Sequence, residues 1–502
     1  MLTSLWRRMS KRRAPIAKWE LSTPLLRWTR DDAWMLRDAV EGTLILGATG
    51  SGKTSGSGAA IARSYLAAGF GGLVLTAKAD ERALWERYCQ EAGRLDDLLV
   101  FAPSERADLR FNFLDFELNR TGDGAGHTES IVNLFANVLE VVERNSGTEG
   151  GRGDESFWRR TNRQLMRNLV DLLALATGRV SVPDLVRLCL SAPTSSAQIN
   201  DKGWQERSFC FHCLKEADRR EKSERQKHDF GIVADFFLLE WPNLSDKTRS
   251  VVMATFTSMA DVLNRGVLRE LFCKDTNVTP KAVEEGKIIL IDLPVKEYAE
   301  VGQFAQVLWK YSFMRSIERR DAAANPRPVF LWADEAQLFT TSYDFQFQST
   351  CRSARCATVY LSQSTTNFYA ALGGGDKGQN EAHSLFQCLN TKVFHACTDK
   401  TPEWSASLIG RSKQLFANGN NTYSPEDNMN AMLGLPVFGP VGHTSAGFSE
   451  SYEYEVQPAA FTRLRTGGPA HGWEVDGIVF QNGRVFRGSG RTWLPVTFRQ
   501  RH

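Results

Sequence analysis

Residues 47–54, Gly47-Ala48-Thr49-Gly50-Ser51-Gly52-Lys53-Thr54, constrain what this chain can fold into more than any other segment. They fill the pattern G-x-x-x-x-G-K-[ST] at every fixed position. The flanks agree with it. The apolar run Thr43-Leu44-Ile45-Leu46 predicts a strand before the loop, and the small-residue stretch Ala59-Ala60-Ile61-Ala62 predicts a helix after it. A glycine-rich loop between such elements turns its backbone N–H groups inward, and the helix N-terminus adds a favourable dipole. Gly47, Ala48, Thr49, Gly50, Ser51, Gly52, Lys53 and Thr54 are therefore the expected cradle for a nucleoside triphosphate, with ATP and Mg²⁺ as cofactors. Lys53 is expected to reach the terminal phosphates and the Thr54 hydroxyl to hold the Mg²⁺.

With 502 residues the chain has room for two or more domains. Its net charge of +3 says almost nothing about nucleic acid, so any DNA contact has to come from local patches. The 9 cysteines are scattered, and an odd number without a secretory signal points to reduced thiols in a cytoplasm. Cys210-Phe211-His212-Cys213 is the one metal-like cluster, but no second pair stands at zinc spacing; plain thiols and a zinc site both remain open. No run of ~18 apolar residues predicts a transmembrane helix. The N-terminus carries Arg7, Arg8, Lys11, Arg12, Arg13 and Lys18 with no acid before Glu20. It reads as a disordered basic tail or as a contact with an anionic membrane, DNA or a partner. The expected location is the cytoplasm, with peripheral contact at the inner face of the membrane.

Short apolar runs recur with helical stretches between them: Leu73-Val74-Leu75, Leu98-Leu99-Val100-Phe101, Ile288-Ile289-Leu290-Ile291, Val329-Phe330-Leu331-Trp332 and Val359-Tyr360-Leu361. Runs apolar on both faces fit parallel strands buried between helices. A glycine-rich stretch, Gly147 to Gly153, interrupts this pattern, and from Ser156 to Cys273 the chain reads as helical. The expected fold is α/β, a nucleotide-binding sheet with an inserted all-α domain. The expected divisions are a basic N-terminal arm (1–30), a first part of the α/β domain (31–150), the helical insertion (151–275) and the second part (276–502).

Val329-Phe330-Leu331-Trp332-Ala333-Asp334-Glu335 is a hydrophobic strand ending in two acids. Beside a phosphate loop this is the shape of a Walker B motif. Asp334 is expected near the Mg²⁺, and Glu335 is expected to polarise the attacking water. The next strand ends at Gln363, which either senses the γ-phosphate or is an ordinary polar strand end. Arg352 and Arg355 precede that strand. Each either completes a neighbouring subunit's site by stabilising transition-state charge, or pairs with a surface acid.

These residues, in this order, resemble the coupling ATPases of conjugation and type IV secretion, the TraD/TraG type within the HerA–FtsK group of DNA pumps. Further segments carry the resemblance. Arg110-Phe111-Asn112-Phe113-Leu114 looks like the family's Asn-Pro-Leu segment, Phe157-Trp158 like its Phe/Trp pair, and Thr248-Arg249 like its Thr-Arg segment. Val456 to Leu464 looks like the segment that closes the motor domain. The spacing of Arg352 and Gln363 is similar to that of the family's arginine finger and glutamine sensor, which favours Arg352 over Arg355. The resemblance implies a RecA-like P-loop domain assembled as a hexameric ring. It implies ATP hydrolysis coupled to DNA translocation, with relaxosome or secretion-channel proteins as partners. Two features depart from the family: the usual N-terminal transmembrane helices are not found, and Thr76-Ala77-Lys78-Ala79-Asp80 keeps the lysine of the segment after the second strand but not its first acid.

Arg160, Arg163 and Arg167 share one face of a predicted helix, either to track phosphates or as a solvated face. Lys215 to Lys227, with both signs interleaved, reads as an exposed helix. Two other functions stand beside the DNA pump: a soluble adaptor switched by nucleotide, and the motor of a defence or DNA-packaging system.

Overall fold

The computed structural model describes residues 19–103, 105, 108–122, 128–135, 155–422, 432–433 and 443–500. The basic residues Arg7 to Lys18 and the stretch Gly147 to Gly153 lie outside the described residues, as do the side chains of Phe157 and Trp158. Thirteen strands are described: β1 (Pro24–Arg27), β2 (Ala33–Met35), β3 (Thr43–Leu46), β4 (Gly71–Leu75), β5 (Leu98–Phe101), β6 (Ile288–Ile291), β7 (Val329–Ala333), β8 (Cys356–Ser362), β9 (Thr391–Phe394), β10 (Arg411–Thr422), β11 (His443–Tyr454), β12 (Glu474–Gln481) and β13 (Trp493–Arg499).

A 9-stranded sheet runs in the order β13-β12-β9-β3-β8-β7-β4-β6-β5. From β9 to β5 every pairing is parallel, and β12 and β13 add antiparallel strands at one edge. The two smaller sheets are the pairs β1-β2 and β10-β11. Strands β3, β4, β6, β7 and β8 are buried on both faces, which is why they read as largely apolar runs without alternation, while β5 at the edge is half-buried. Two apolar clusters cover those faces. Space is tight at β4, where a Cβ on Gly72 would meet the Phe330 ring at 2.6 Å. Strands β3 and β4 follow each other in the chain, yet β8 and β7 lie between them. This crossing opens a crevice at the carboxyl end of β3, where ligands bind in open α/β sheets.

Between β5 and β6 the described chain is helical, with long helices at Glu155–Thr177, Phe209–Arg219, Glu224–Asp235 and Asp246–Asp261. Lys215 to Lys227 differs from expectation in being two helices. Ser223 accepts from the Gln226 backbone while the Gln226 side chain bonds back to Ser223 N, forming a capping box that starts a new helix. Lys222 Nζ meanwhile donates to the carbonyls of Asp218 and Arg220, each at 2.8 Å, closing the helix before it. The segments 110–112 and 248–249 serve this helical region structurally. Asn112 caps the helix Phe113–Asn119 and donates to Lys274 O at 3.1 Å, tying the chain's exit from the sheet to its return. Arg249 donates to Leu244 O at 3.0 Å.

A buried charge pair anchors the chain after β7. Lys310, from the helix Val295–Glu318, lies 2.6 Å from Asp344 Oδ2 with both side chains 1% exposed. Thr341 N and Oγ1 also donate to Asp344 at 2.7 and 2.9 Å, and the Tyr360 hydroxyl on β8 binds its other oxygen. Burial pulls the Lys310 ammonium below its ordinary value, and Asp344 opposes that pull. Lys310→Met would leave the carboxylate buried without its cation. We expect it to destabilise the fold by ~3–5 kcal/mol in urea unfolding; a loss below about 1 kcal/mol would show that the neutral donors suffice.

Candidate active site

The loop 47–54 leaves the carboxyl end of β3 and is stitched to the neighbouring strand ends. Gly47 N donates to Ser362 O at 3.2 Å and Ala48 N to Ala396 O at 2.8 Å. Gly52 is fixed by two constraints. Its φ is +81°, and a Cβ there would meet the Val475 side chain at 2.6 Å. Thr54–Gly58 forms a wide first helical turn, in which Gly58 N reaches back to Lys53 O at 2.9 Å, and the α-helix Ala59–Ala67 follows. Ser51 Oγ is buried with no hydrogen-bond partner among the described residues, an orphaned polar atom inside the loop.

Because β3, β8, β7 and β4 are parallel, residues following each of them meet at one edge. Thr54 Oγ1 donates to Asp334 Oδ2 at 2.8 Å. This hydroxyl and carboxylate are hard oxygen donors and fit Mg²⁺. Glu335, with φ +50° and ψ +48°, turns back into the same space. Its Oε1 lies 3.9 Å from both Lys53 Nζ and Lys78 Nζ and accepts from Gln363 Nε2 at 3.0 Å. Its Oε2 accepts from Gln337 Nε2 at 3.0 Å, and Gln337 is itself held by Ser362 Oγ at 2.8 Å. Burial alone would raise the Glu335 carboxyl. The bonds from Gln337 and Gln363 and the charges of Lys53 and Lys78 together outweigh burial and hold the group below the ordinary carboxylate value. Glu81, by contrast, is pushed well above its ordinary value by burial and then by the charge of Asp334, while it caps the N–H groups of Ala77 and Lys78.

A cleft of ≈ 650 Å³ opens over these residues, a size that suits a nucleotide. The phosphate loop, Lys78, Glu335 and Gln363 line one part, and Thr466, Gly467, Gly468, Trp473 and Gln500 line another. The second group has no signature in the sequence. Gln500, just beyond β13, donates to Ser55 Oγ at 2.7 Å and accepts from Gly468 N at 2.8 Å, so the far C-terminal region closes on the residue after Thr54. His395 supports the loop from beneath. Its Nε2 lies 2.7 Å from Ser57 Oγ and its Nδ1 2.8 Å from Asp476 O. The carbonyl can only accept, so Nδ1 carries the proton and Nε2 accepts from the serine.

The remaining candidates lie elsewhere. Arg352 precedes β8 while Gln363 follows it, and the 7 residues of β8 set them ~23 Å apart. Arg352 therefore cannot reach Glu335 of its own chain; its side chain is 64% exposed and 3.1 Å from Glu41. Among the described residues Arg355 pairs with no surface acid; it donates to the carbonyls of Trp19 and Pro326 at 2.7 and 3.0 Å. In the face Arg160, Arg163 and Arg167, the last two turn to Glu129, with Arg167 Nε at 2.6 Å. The thiols of Cys210 and Cys213 are buried, burial raising Cys213 to about 11. No group of three or more His, Cys, Asp or Glu among the described residues is arranged to hold a metal ion. No helix among them is long and apolar enough to cross a membrane.

Burial, helped by the charge of Lys53 and opposed by the Asp476 carbonyl, lowers His395 to about 4. The unfolded chain takes up this proton near its ordinary value while the folded one does not. The contribution, about 3 kcal/mol, is complete above about pH 6.5 and lost as the pH falls towards 4. We expect His395→Asn to be less stable at neutral pH and to lose this part of the acid slope in urea unfolding. A slope unchanged from the native chain would mean that His395 is not buried neutral.

No protein-family model matches this sequence, and no curated protein matches it. Solved structures do. The unbound monoclinic form of the bacterial conjugative coupling protein TrwBdeltaN70 superposes with a TM-score of 0.58 at 16% identity, covering 97% of this chain and 90% of that one. The plasmid coupling protein TrwB in complex with the non-hydrolysable ATP analogue ADPNP gives 0.56 at 17% identity, covering 97% and 91%. TrwB in complex with ADP and Mg²⁺ gives 0.55 at 15% identity, covering 94% and 88%. The likeness extends over nearly the whole of both chains: this protein has the RecA-like fold, with an all-α domain, of the conjugative coupling protein TrwB.

Proposed function

We propose that this protein is an ATP-driven DNA translocase of the coupling-protein kind, working as a hexameric ring in the transfer of a mobile element. The observation that carries the reading is the meeting of Lys53, Thr54, Glu335 and Gln363, from three separate stretches of chain, in one nucleotide-sized cleft, with Asp334 bonded to Thr54 beside it. The complexes of TrwB with an ATP analogue and with ADP and Mg²⁺ support the choice of ligand. DNA is the proposed track. Relaxosome or secretion-channel proteins are the proposed partners, and the basic N-terminus is a proposed peripheral contact with the membrane.

Each residue has a task set by its chemistry. The loop N–H groups and Lys53 bind the triphosphate tail. Thr54 and Asp334 would hold Mg²⁺, which when bound neutralises phosphate charge. Glu335 is already ionised by its surroundings and accepts a proton from the attacking water. The water oxygen forms a bond to the γ-phosphorus, the bond from that phosphorus to the β–γ bridging oxygen breaks, and ADP and phosphate leave. Gln363 orients Glu335 and is placed to register loss of the γ-phosphate. Arg352, beyond reach within its own chain, enters the neighbouring subunit's cleft and stabilises the charge that develops there.

ATP hydrolysis is measured with and without single- and double-stranded DNA. DNA is expected to stimulate it strongly. Lys53→Ala is expected to abolish the activity, and Arg352→Ala to lower it by about 10³-fold or more. Mixing Arg352→Ala with Glu335→Gln subunits is expected to restore part of the rate, because some clefts then combine an intact Glu335 with a neighbour's Arg352. Hydrolysis indifferent to both DNA and Arg352 would sink the translocase and favour an adaptor switched by nucleotide.

A further inference from the structure

The pair β10-β11 stands apart from the central sheet. Each strand has 12 residues, so the ribbon is ~40 Å long. A lone two-stranded ribbon is at best marginally stable in water. One face of this one carries exposed apolar side chains around an ion pair between Lys413 and Glu450 at 3.2 Å. Lys413 pairs with Tyr452, Leu415 with Glu450 and Ala417 with Phe448, so Leu415, Phe448 and Tyr452 share a side. They are 71%, 78% and 64% exposed. Exposed apolar side chains gathered on one face mark a contact surface.

The root of the ribbon says what lies against it. At the edge opposite the phosphate loop, Arg352 pairs with Glu41 at 3.1 Å, and Asn390 Nδ2 donates to the same carboxylate at 2.7 Å and to Asn482 O at 3.4 Å. On the next strand, Trp493 Nε1 donates to Glu455 Oε2 at 2.7 Å, and Glu455 directly follows β11. The ribbon and Arg352 therefore rise from one edge of the sheet. Four strand spacings separate β8 from β13, which is ~19 Å. A neighbour that receives Arg352 sits against that edge, within reach of the ribbon.

We propose that the face bearing Leu415, Phe448 and Tyr452 is a docking arm for a second copy of this chain, laid on the neighbour whose cleft Arg352 enters. This rests on the shared-site reading above. The occupant is an apolar patch on the neighbour's surface that meets Leu415, Phe448 and Tyr452 around the Lys413–Glu450 pair.

The test uses the full chain with Mg²⁺ and a non-hydrolysable ATP analogue. Assembly is followed by mass photometry in the native protein and in the triple variant Leu415→Ser, Phe448→Ser, Tyr452→Ser. The variant is expected to assemble at least tenfold more weakly while binding a fluorescent ATP analogue as tightly as the native chain. A photo-crosslinking benzoylphenylalanine at position 448 of an otherwise native chain is expected to join two copies, which keeps the proposal testable should the triple variant not fold. Normal assembly of the variant, with hydrolysis still dependent on Arg352, would overturn the arm and leave the shared site standing. A native chain that stays monomeric with nucleotide and DNA would overturn both. Flotation of the native chain, but not the variant, with phosphatidylethanolamine–phosphatidylglycerol vesicles would make lipid the occupant and also overturn the proposal.

Discussion

The parallel register of β3, β8, β7 and β4 is the constraint on which the rest of this structure depends. Parallel strands that are buried on both faces end together, so whatever follows each of them gathers at one edge. The loop after β3, the acids after β7, the glutamine after β8 and Lys78 after β4 meet there for that reason. The same register sends Arg352 and the root of the β10-β11 ribbon to the opposite edge. One sheet thus has two working edges: one holds the groups proposed for hydrolysis, and the other holds the groups proposed for a neighbour.

Electrostatics divides labour within the cleft. Glu335 stays ionised because two lysines and two amide donors outweigh its burial, whereas Glu81, a few residues from Lys78, is driven towards its neutral form. Lys53 gains as well, since a buried cation near a buried anion loses less on leaving water. His395 beneath the loop is kept neutral by burial and by a carbonyl that fixes its tautomer. A neutral imidazole so near Lys53 does not repel the charge of that lysine.

The helical region between β5 and β6 shows how an insertion is carried without disturbing the sheet. Its entry and exit are tied by Asn112, which caps one helix and binds the carbonyl of Lys274. The arginine faces that suggest nucleic acid in the sequence turn partly to acids in space, Arg163 and Arg167 to Glu129. Charge periodicity along a helix cannot show this, because the partner comes from another segment of the chain.

Residues 47–54, the strand before them, the acids Asp334 and Glu335, and the five apolar strand runs were legible in the sequence because their signals are local. Burial on both faces writes itself as an unbroken apolar run, and a phosphate cradle needs glycines and a lysine at set spacing. Gln500, His395 and the antiparallel strand β12 were not legible, since each gains its place from contacts with distant parts of the chain. The break at Ser223 was missed because a capping box within a charged run looks like more of the run. The sequence by itself determined the phosphate-loop pattern, the acids after β7 and the α/β class that carries them. Only the tertiary structure decided which groups share the cleft and which face away, because strand order and direction, which no local pattern encodes, set the distances over which charges and hydrogen bonds act.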